Sequence, residues 1–349
     1  MGSARRLAGQ LATLGAGHRL DMDSRPYAAM IDTTPADPGS VVSDSAAAAT
    51  AYATGVSTAN GRAGTDVDGN RVTSILDLAR EAGKSAALVS ASALVDASLA
   101  GFGAHVADRD DALEIARQLV QETRPDVMLG GGEDYFYPDG AAGVFPVDPA
   151  PEAKSMRVGT ANLAAEAEAA GRQIVSDAEG LAAATVAPVL GLFANESLAF
   201  QPDPSGEGLE YAPIVPLADL TAKAIELLSR NPQGFVLVVE EDGGLDTVAH
   251  DNLGEIVPQG IAALDAAVGV AVDYAARDGE TLVIVTADRE TGGLPIEAED
   301  DPEEPAESGV AADESPSISG EDGPFPVAAT TAASSWIGAP ATTPAFPCR

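Results

Sequence analysis

Cysteine is almost absent from this chain: Cys348, next to the C-terminus, is the only one. A lone thiol makes no intramolecular disulfide and no cysteine-ligated metal site. Lysine is nearly as scarce, occurring only as Lys84, Lys154 and Lys223, and 19 basic residues face 54 acidic ones. The formal net charge of −35 repels nucleic acid and anionic membrane surfaces, so neither is expected as a partner. Histidine occurs only at His18, His105 and His250. No apolar run is long enough to span a membrane, and "MGSARRLAGQLATLG" is too short in continuous apolar residues for a secretory signal. That segment reads as an amphipathic helix with Arg5 and Arg6 outside, so no signal peptide is expected within this chain.

What is present is a folded, core-forming composition: 349 residues, 45% of them hydrophobic. The acidic surface suits a salt-rich, halophilic setting, where counterions screen self-repulsion. Apolar, β-branched runs predict buried strands over Ala86–Ser90, Asp126–Leu129, Val189–Phe193, Phe235–Val239 and Thr281–Thr286. Helical patterns fall at Thr73–Ala82, Asp111–Glu122, Thr160–Ala170, Leu217–Ser229 and Pro258–Ala276. Strands alternating with helices predict an α/β fold, a central mostly parallel sheet sandwiched between helices. The segment from Glu297 to Gly323 is rich in acidic residues and proline and predicts a surface loop or disordered insertion.

Two kinds of feature bear on chemistry. Asp44-Ser45 directly precedes a run of small helix formers, Ala46 to Thr54, which Gly55 stops. Either residue suits an N-cap, and a serine there also suits a nucleophile, because a helix N-terminus favours anions such as phosphate. Both readings stand on these residues alone. In such folds ligands bind beyond the carboxyl ends of the strands. The predicted exits carry Asp96, Ser98 and Arg109; then "GGGEDY"; then Glu240, Glu241, Asp246 and His250; then Asp288. Carboxylates with a histidine at several exits suit hard or borderline cations. Asp246 and His250, four apart, share a face if that turn is helical.

"SDSAAAATAYATGVSTANGRAGTD" resembles the nucleophile segment of alkaline phosphatases. "VTSILDLAREAGKSAALVSASALVDASLAGFGAHVADRD", "DVMLGGGEDYF", "VLVVEEDGGLDTVAHDN" and "TLVIVTADRETGG" resemble later family blocks in the same order. The resemblance runs from about Leu20 to Leu294 and implies one alkaline-phosphatase-like domain over 1–349. It implies phosphomonoester hydrolysis through a phosphoserine, with two Zn²⁺ and one Mg²⁺ as cofactors. Phosphate monoesters and inorganic phosphate are the implied partners, and a homodimer is an assembly it allows. The implied location is periplasmic or extracellular for the full-length protein. By position, Ser45 resembles the nucleophile and Arg109 the arginine that clamps two phosphate oxygens. Asp246 and His250 resemble ligands of the first zinc, and Asp288 one of the second. Ser98 and Glu241 resemble magnesium ligands; Glu241 is preferred to Glu240 because it lies five residues before Asp246. Asp96 and Asp44 stand behind these ligands. Ser45, Ser98, Arg109, Glu241, Asp246, His250 and Asp288 are expected to converge at one end of the sheet.

The chain also departs from the family pattern. Met1-Gly2 resembles the Met-Gly of a Gly-Asp-Gly-Met-Gly motif, which would put the family's metal-bridging Asp and first strand before residue 1. The family's Asp-His pair is Asp288-Arg289 here. Arginine cannot ligate zinc, and its guanidinium is expected to turn toward Asp288 or Asp246. Thr247 stands where some members carry a lysine or histidine. The tail 329–349 diverges and carries no late histidine. The metal sites are therefore expected to be incomplete. Two functional readings remain: a phosphomonoesterase, or a degenerate homologue that binds phosphate or a single metal ion without turnover.

Overall fold

The computed structural model describes residues 3–15, 17–141, 143–145, 160–202, 209–250, 256–289, 291, 296–298, 316–318 and 325–326. The divergent tail and most of the acidic segment 297–323 lie outside the described residues. In chain order, helices α1 (Ser3–Thr13), α2 (Ser45–Thr54) and α3 (Ile75–Glu81) precede strand β1 (Ser85–Ala93). Helices α4 (Ala97–Gly103) and α5 (Ala112–Gln118) lead to β2 (Val127–Gly131). Then come α6 (Leu163–Ala169), β3 (Gln173–Val175), α7 (Ala178–Ala183) and β4 (Val189–Leu192). A hairpin of β5 (Phe200–Pro202) and β6 (Leu209–Tyr211) is followed by α8 (Leu217–Leu228) and β7 (Phe235–Glu240). Helices α9 (Val248–His250) and α10 (Val257–Asp278) complete the main body. Three short strands, β8 (Ile296–Ala298), β9 (Pro316–Ile318) and β10 (Phe325–Pro326), pair antiparallel.

The main sheet has the order β3-β4-β2-β1-β7, and every pairing in it is parallel. Side-chain alternation divides its core. Leu88, Met128 and Leu190 face one layer with Leu76, Leu99, Ile115 and Leu163. Val89, Leu129 and Val189 face the other with Leu181, Leu217 and Leu220. The expected sheet sandwiched between helices is therefore observed. After β1 the chain builds outward on one side through β2 and β4, then returns to place β7 on the other side of β1. Such a reversal opens a crevice beyond the carboxyl ends of the two strands. The residues after β1 and β7 line that end.

Two expectations are corrected. Thr281–Thr286 has no regular secondary structure and pairs with no strand among the described residues, and Leu282 and Ile284 are 81% and 75% exposed. An apolar run supplies one side of a ladder, and strand status needs the hydrogen-bonding partner. Arg5 is buried, not outside, whereas Arg6 pairs with Asp23 at 3.0 Å. Arg5 lies three residues before fully buried Ala8 and shares its helical face.

Candidate active site

Helix α2 explains its own alanines. Ser45 to Thr50 and Ala53 are buried, and α2 packs closely on α4. A Cβ added at Gly101 of α4 would lie 2.7 Å from Ala49 Cβ and 2.8 Å from Thr50 N, so only small residues permit this approach. The capping role falls to Asp44, whose Oδ1 accepts from Ala47 N at 2.9 Å while Oδ2 accepts from Gly61 N at 2.8 Å. Gly55, at φ 73°, closes the helix. Ser45 is therefore the first helical residue, buried and held in place by its neighbour's cap.

A guanidinium lies against the Ser45 hydroxyl. Arg289 Nη1 donates to Ser45 Oγ at 2.8 Å, and Nη2 donates to Asp246 Oδ2 at 2.9 Å. The same Nη2 lies 3.4 Å from His250 Nε2, and Nε donates to Thr291 Oγ1 at 3.3 Å. Asp288 is tied to the group through its own Oδ1, which accepts from Arg289 N at 2.7 Å, and Oδ2 lies 3.9 Å from Nη1. Thr291 donates to Asp246 Oδ1 at 2.5 Å. Tyr52 of α2 donates to Ala287 O at 2.8 Å, which fixes this segment against α2. Asp246 and His250 share a helical face, Oδ2 and Nε2 being 3.4 Å apart. The expectation that Arg289 would turn toward Asp288 or Asp246 matches this arrangement.

Arg109 lies beside the residue that precedes Ser45. Its Nη1 lies 3.6 Å from Asp44 Oδ2 and its Nη2 3.6 Å from Asp96 Oδ1. The fork thus joins the residue before Ser45 to a second, acidic group. In that group Glu240 lies near Ser98 and accepts from Ser90 Oγ at 2.9 Å. Ser92 Oγ donates to Asp96 Oδ2 at 2.9 Å, and Asp242 bonds Ser92 and Thr247. Burial, followed by the like charges of Asp242 and Asp96, raises the Glu240 carboxyl well above its ordinary range. Burial and the charges of Asp96 and Asp246 raise Asp242 as well.

Of the residues expected to converge, Ser45, Asp246, His250 and Asp288 surround Arg289, while Arg109 and Asp96 link that cluster to Ser98. Glu241 does not join them. Its Oε1 accepts from Tyr211 Oη at 3.0 Å and from Gly244 N at 3.1 Å, and burial pushes its carboxyl up to about 8. Glu240 stands beside Ser98 instead. Consecutive residues at a strand end point to opposite faces, so counting back from Asp246 across an irregular turn lands on the glutamate that faces away from Ser98. The turn from Gly243 to Thr247 is a π-helix, whose wider winding upsets such a count. Asp242 and Thr291 were not singled out from the sequence; neither carries a local signal, and only the π-turn and the return of 281–291 bring them in.

The zinc pair implied by the resemblance does not fit these residues. Asp246 and His250 hold a guanidinium, and the same guanidinium stands between Ser45 and Asp288. The acidic group has the oxygen chemistry of a magnesium site. Among the described residues, however, no three of His, Cys, Asp or Glu are gathered so as to hold one ion. No helix among them is long and apolar enough to cross a membrane.

Comparison with known proteins agrees with this architecture. The family model for alkaline phosphatase matches residues 1–321. Alkaline phosphatase 4 of Bacillus subtilis (strain 168) is 35% identical over 280 residues, 78% of this chain and 55% of that protein. Streptomycin-6-phosphate phosphatase of Streptomyces griseus is 35% identical over 337 residues, 82% of this chain and 71% of that protein. The structure of alkaline phosphatase from the Antarctic bacterium TAB5 superposes with a TM-score of 0.72 at 25% identity, covering 91% of this chain and 83% of that one. A variant of the TAB5 enzyme carries Mg bound in its M3 site. The chain spans a little over half the length of the first curated relatives it matches. A matched model over most of the length, with the parallel sheet and the serine-headed helix, places the chain in the alkaline phosphatase family.

Proposed function

We propose that this site receives a phosphate monoester and transfers its phosphoryl group to Ser45. The observation that carries the reading is a buried serine at the first position of α2, with one guanidinium on its hydroxyl and a second beside its preceding aspartate. The Ser45 Oγ–P bond forms as the ester P–O bond breaks, and the serine proton leaves with the alcohol. Water then cleaves the Oγ–P bond, returns a proton to Ser45 and releases inorganic phosphate. The α2 N-terminus and planar arginine forks favour the phosphate charge. No step is assigned to zinc, because its donor set is not matched here. Secretion to the periplasm or exterior, and a homodimer, are carried forward on the resemblance alone. The charge of −35 supports work in salt-rich surroundings.

A second reading, phosphate binding without turnover, is favoured by Arg289 in the place expected of a metal. Mass spectrometry after acid quenching with a phosphate monoester separates the two. The hydrolase reading expects a phosphorylated peptide at Ser45 and none in Ser45→Ala. A chain that never becomes phosphorylated, whatever divalent cations are supplied, leaves only the binding reading.

A further inference from the structure

The buried cation beside Ser45 belongs to the protein. Zinc at this position would have to displace a guanidinium that already bonds Ser45, Asp246 and Thr291 and approaches His250 and Asp288. The Arg289 side chain is only 13% exposed, so this contact is set within the fold and not at a solvated surface. The surrounding acidic groups would otherwise repel a phosphate dianion: Asp44, Asp96, Asp246 and Asp288 all lie within 4 Å of one of the two arginines. We propose that Arg289 serves as a tethered substitute for a metal ion, and that with Arg109 it makes the Ser45 end of the sheet a metal-independent receptor for inorganic phosphate and phosphate monoesters. The inference rests on the reading of Ser45 as the phosphate-facing residue.

The chemistry is direct. A phosphate whose phosphorus approaches Ser45 Oγ brings its non-bridging oxygens to the Nη1 that now donates to that hydroxyl. Arg109 meets the same group from the Asp44 side. Arginine holds its charge at every accessible pH, and its planar fork matches two oxygens of a tetrahedral anion. Asp246 and Asp288 keep the guanidinium aimed, so little ordering remains to be done on binding.

The test is calorimetric titration of inorganic phosphate into the full chain at fixed salt, with and without a chelator, beside Arg289→Gln and Arg289→Lys. Zinc uptake of each is measured by metal analysis. The expected result is wild-type affinity unchanged by chelator and weakened about ten- to a hundredfold in Arg289→Gln. Arg289→Lys, which keeps the charge without the fork, should fall between them, and zinc uptake should rise in Arg289→Gln. Phosphate binding that vanishes in chelator, or that is equal in all three proteins, overturns the inference. Should Arg289→Gln fail to fold, the wild-type chelator result and Arg289→Lys decide. A Ser45 phosphopeptide alongside zinc-dependent, Arg289-independent binding would defeat this inference alone. Arg289-dependent binding without any phosphopeptide would defeat only the hydrolase reading.

Discussion

Two groups of carboxylates share the carboxyl end of the sheet and meet their charge in opposite ways. Around Ser45, Asp246 and Asp288 face the fixed guanidinium of Arg289. Around Ser98, Glu240 and Asp242 face one another and Asp96, and burial drives both carboxyls upward in pKa. Arg109 touches both groups, reaching Asp44 on one side and Asp96 on the other. One pocket is balanced by a side-chain cation and the other by retained protons. The same end of the sheet thus holds acidic groups neutralised in two different ways a few residues apart.

The sharpest way to break the comparison is to neutralise one carboxylate on each side. Asp246→Asn leaves Arg289 without its closest ionic partner and should lower stability by about 2–3 kcal/mol in a urea titration. Glu240→Gln replaces a carboxyl that burial and its neighbours' charges already keep from ionising, so it should be neutral or stabilising by up to about 1 kcal/mol. Equal losses from the two substitutions would erase the distinction.

The pH dependence sharpens it further. Glu241, buried, is pushed up to about 8, and Glu196, an exposed residue whose carboxyl accepts from Tyr135 Oη, to about 7, both chiefly by loss of solvation around the carboxyl. In the folded chain these groups bind protons that the unfolded chain releases near pH 4.5. Their stabilisation is complete below that value and is lost as pH rises through about 7 and 8, so stability should fall across that window. Glu241→Gln should flatten the fall in urea titrations between pH 5 and pH 8. A stability that rises through the same range would contradict the assignment.

The smallest effect is local. Asp44→Ala removes the α2 cap and one carboxylate near Arg109, and should cost about 1 kcal/mol in thermal unfolding. Asp44→Asn, which keeps the cap oxygen, should recover most of that loss.

Much of this arrangement is legible in the sequence because it follows local rules. Continuous apolar runs marked β1, β2, β4 and β7, and the small residues after Ser45 marked a helix. Asp246 and His250 showed their shared face through a four-residue spacing. What the sequence hid depends on partners. Thr281–Thr286 reads as a strand, yet no described neighbour supplies its ladder. Glu240 and Glu241 differ by one position in an irregular turn, and only the backbone's direction at the end of β7 decides which meets Ser98. Arg289 was visible as a substitution incompatible with zinc ligation, but its hydrogen bond to Ser45 spans 244 positions.

The most direct test of the central claim is crystallography of the full chain soaked in zinc and inorganic phosphate, with anomalous data collected at the zinc edge. The account predicts phosphate on Ser45, Arg109 and Arg289 with no zinc peak among Ser45, Asp246 and Asp288. A zinc ion bound there, with Arg289 displaced from Ser45 Oγ, would contradict it.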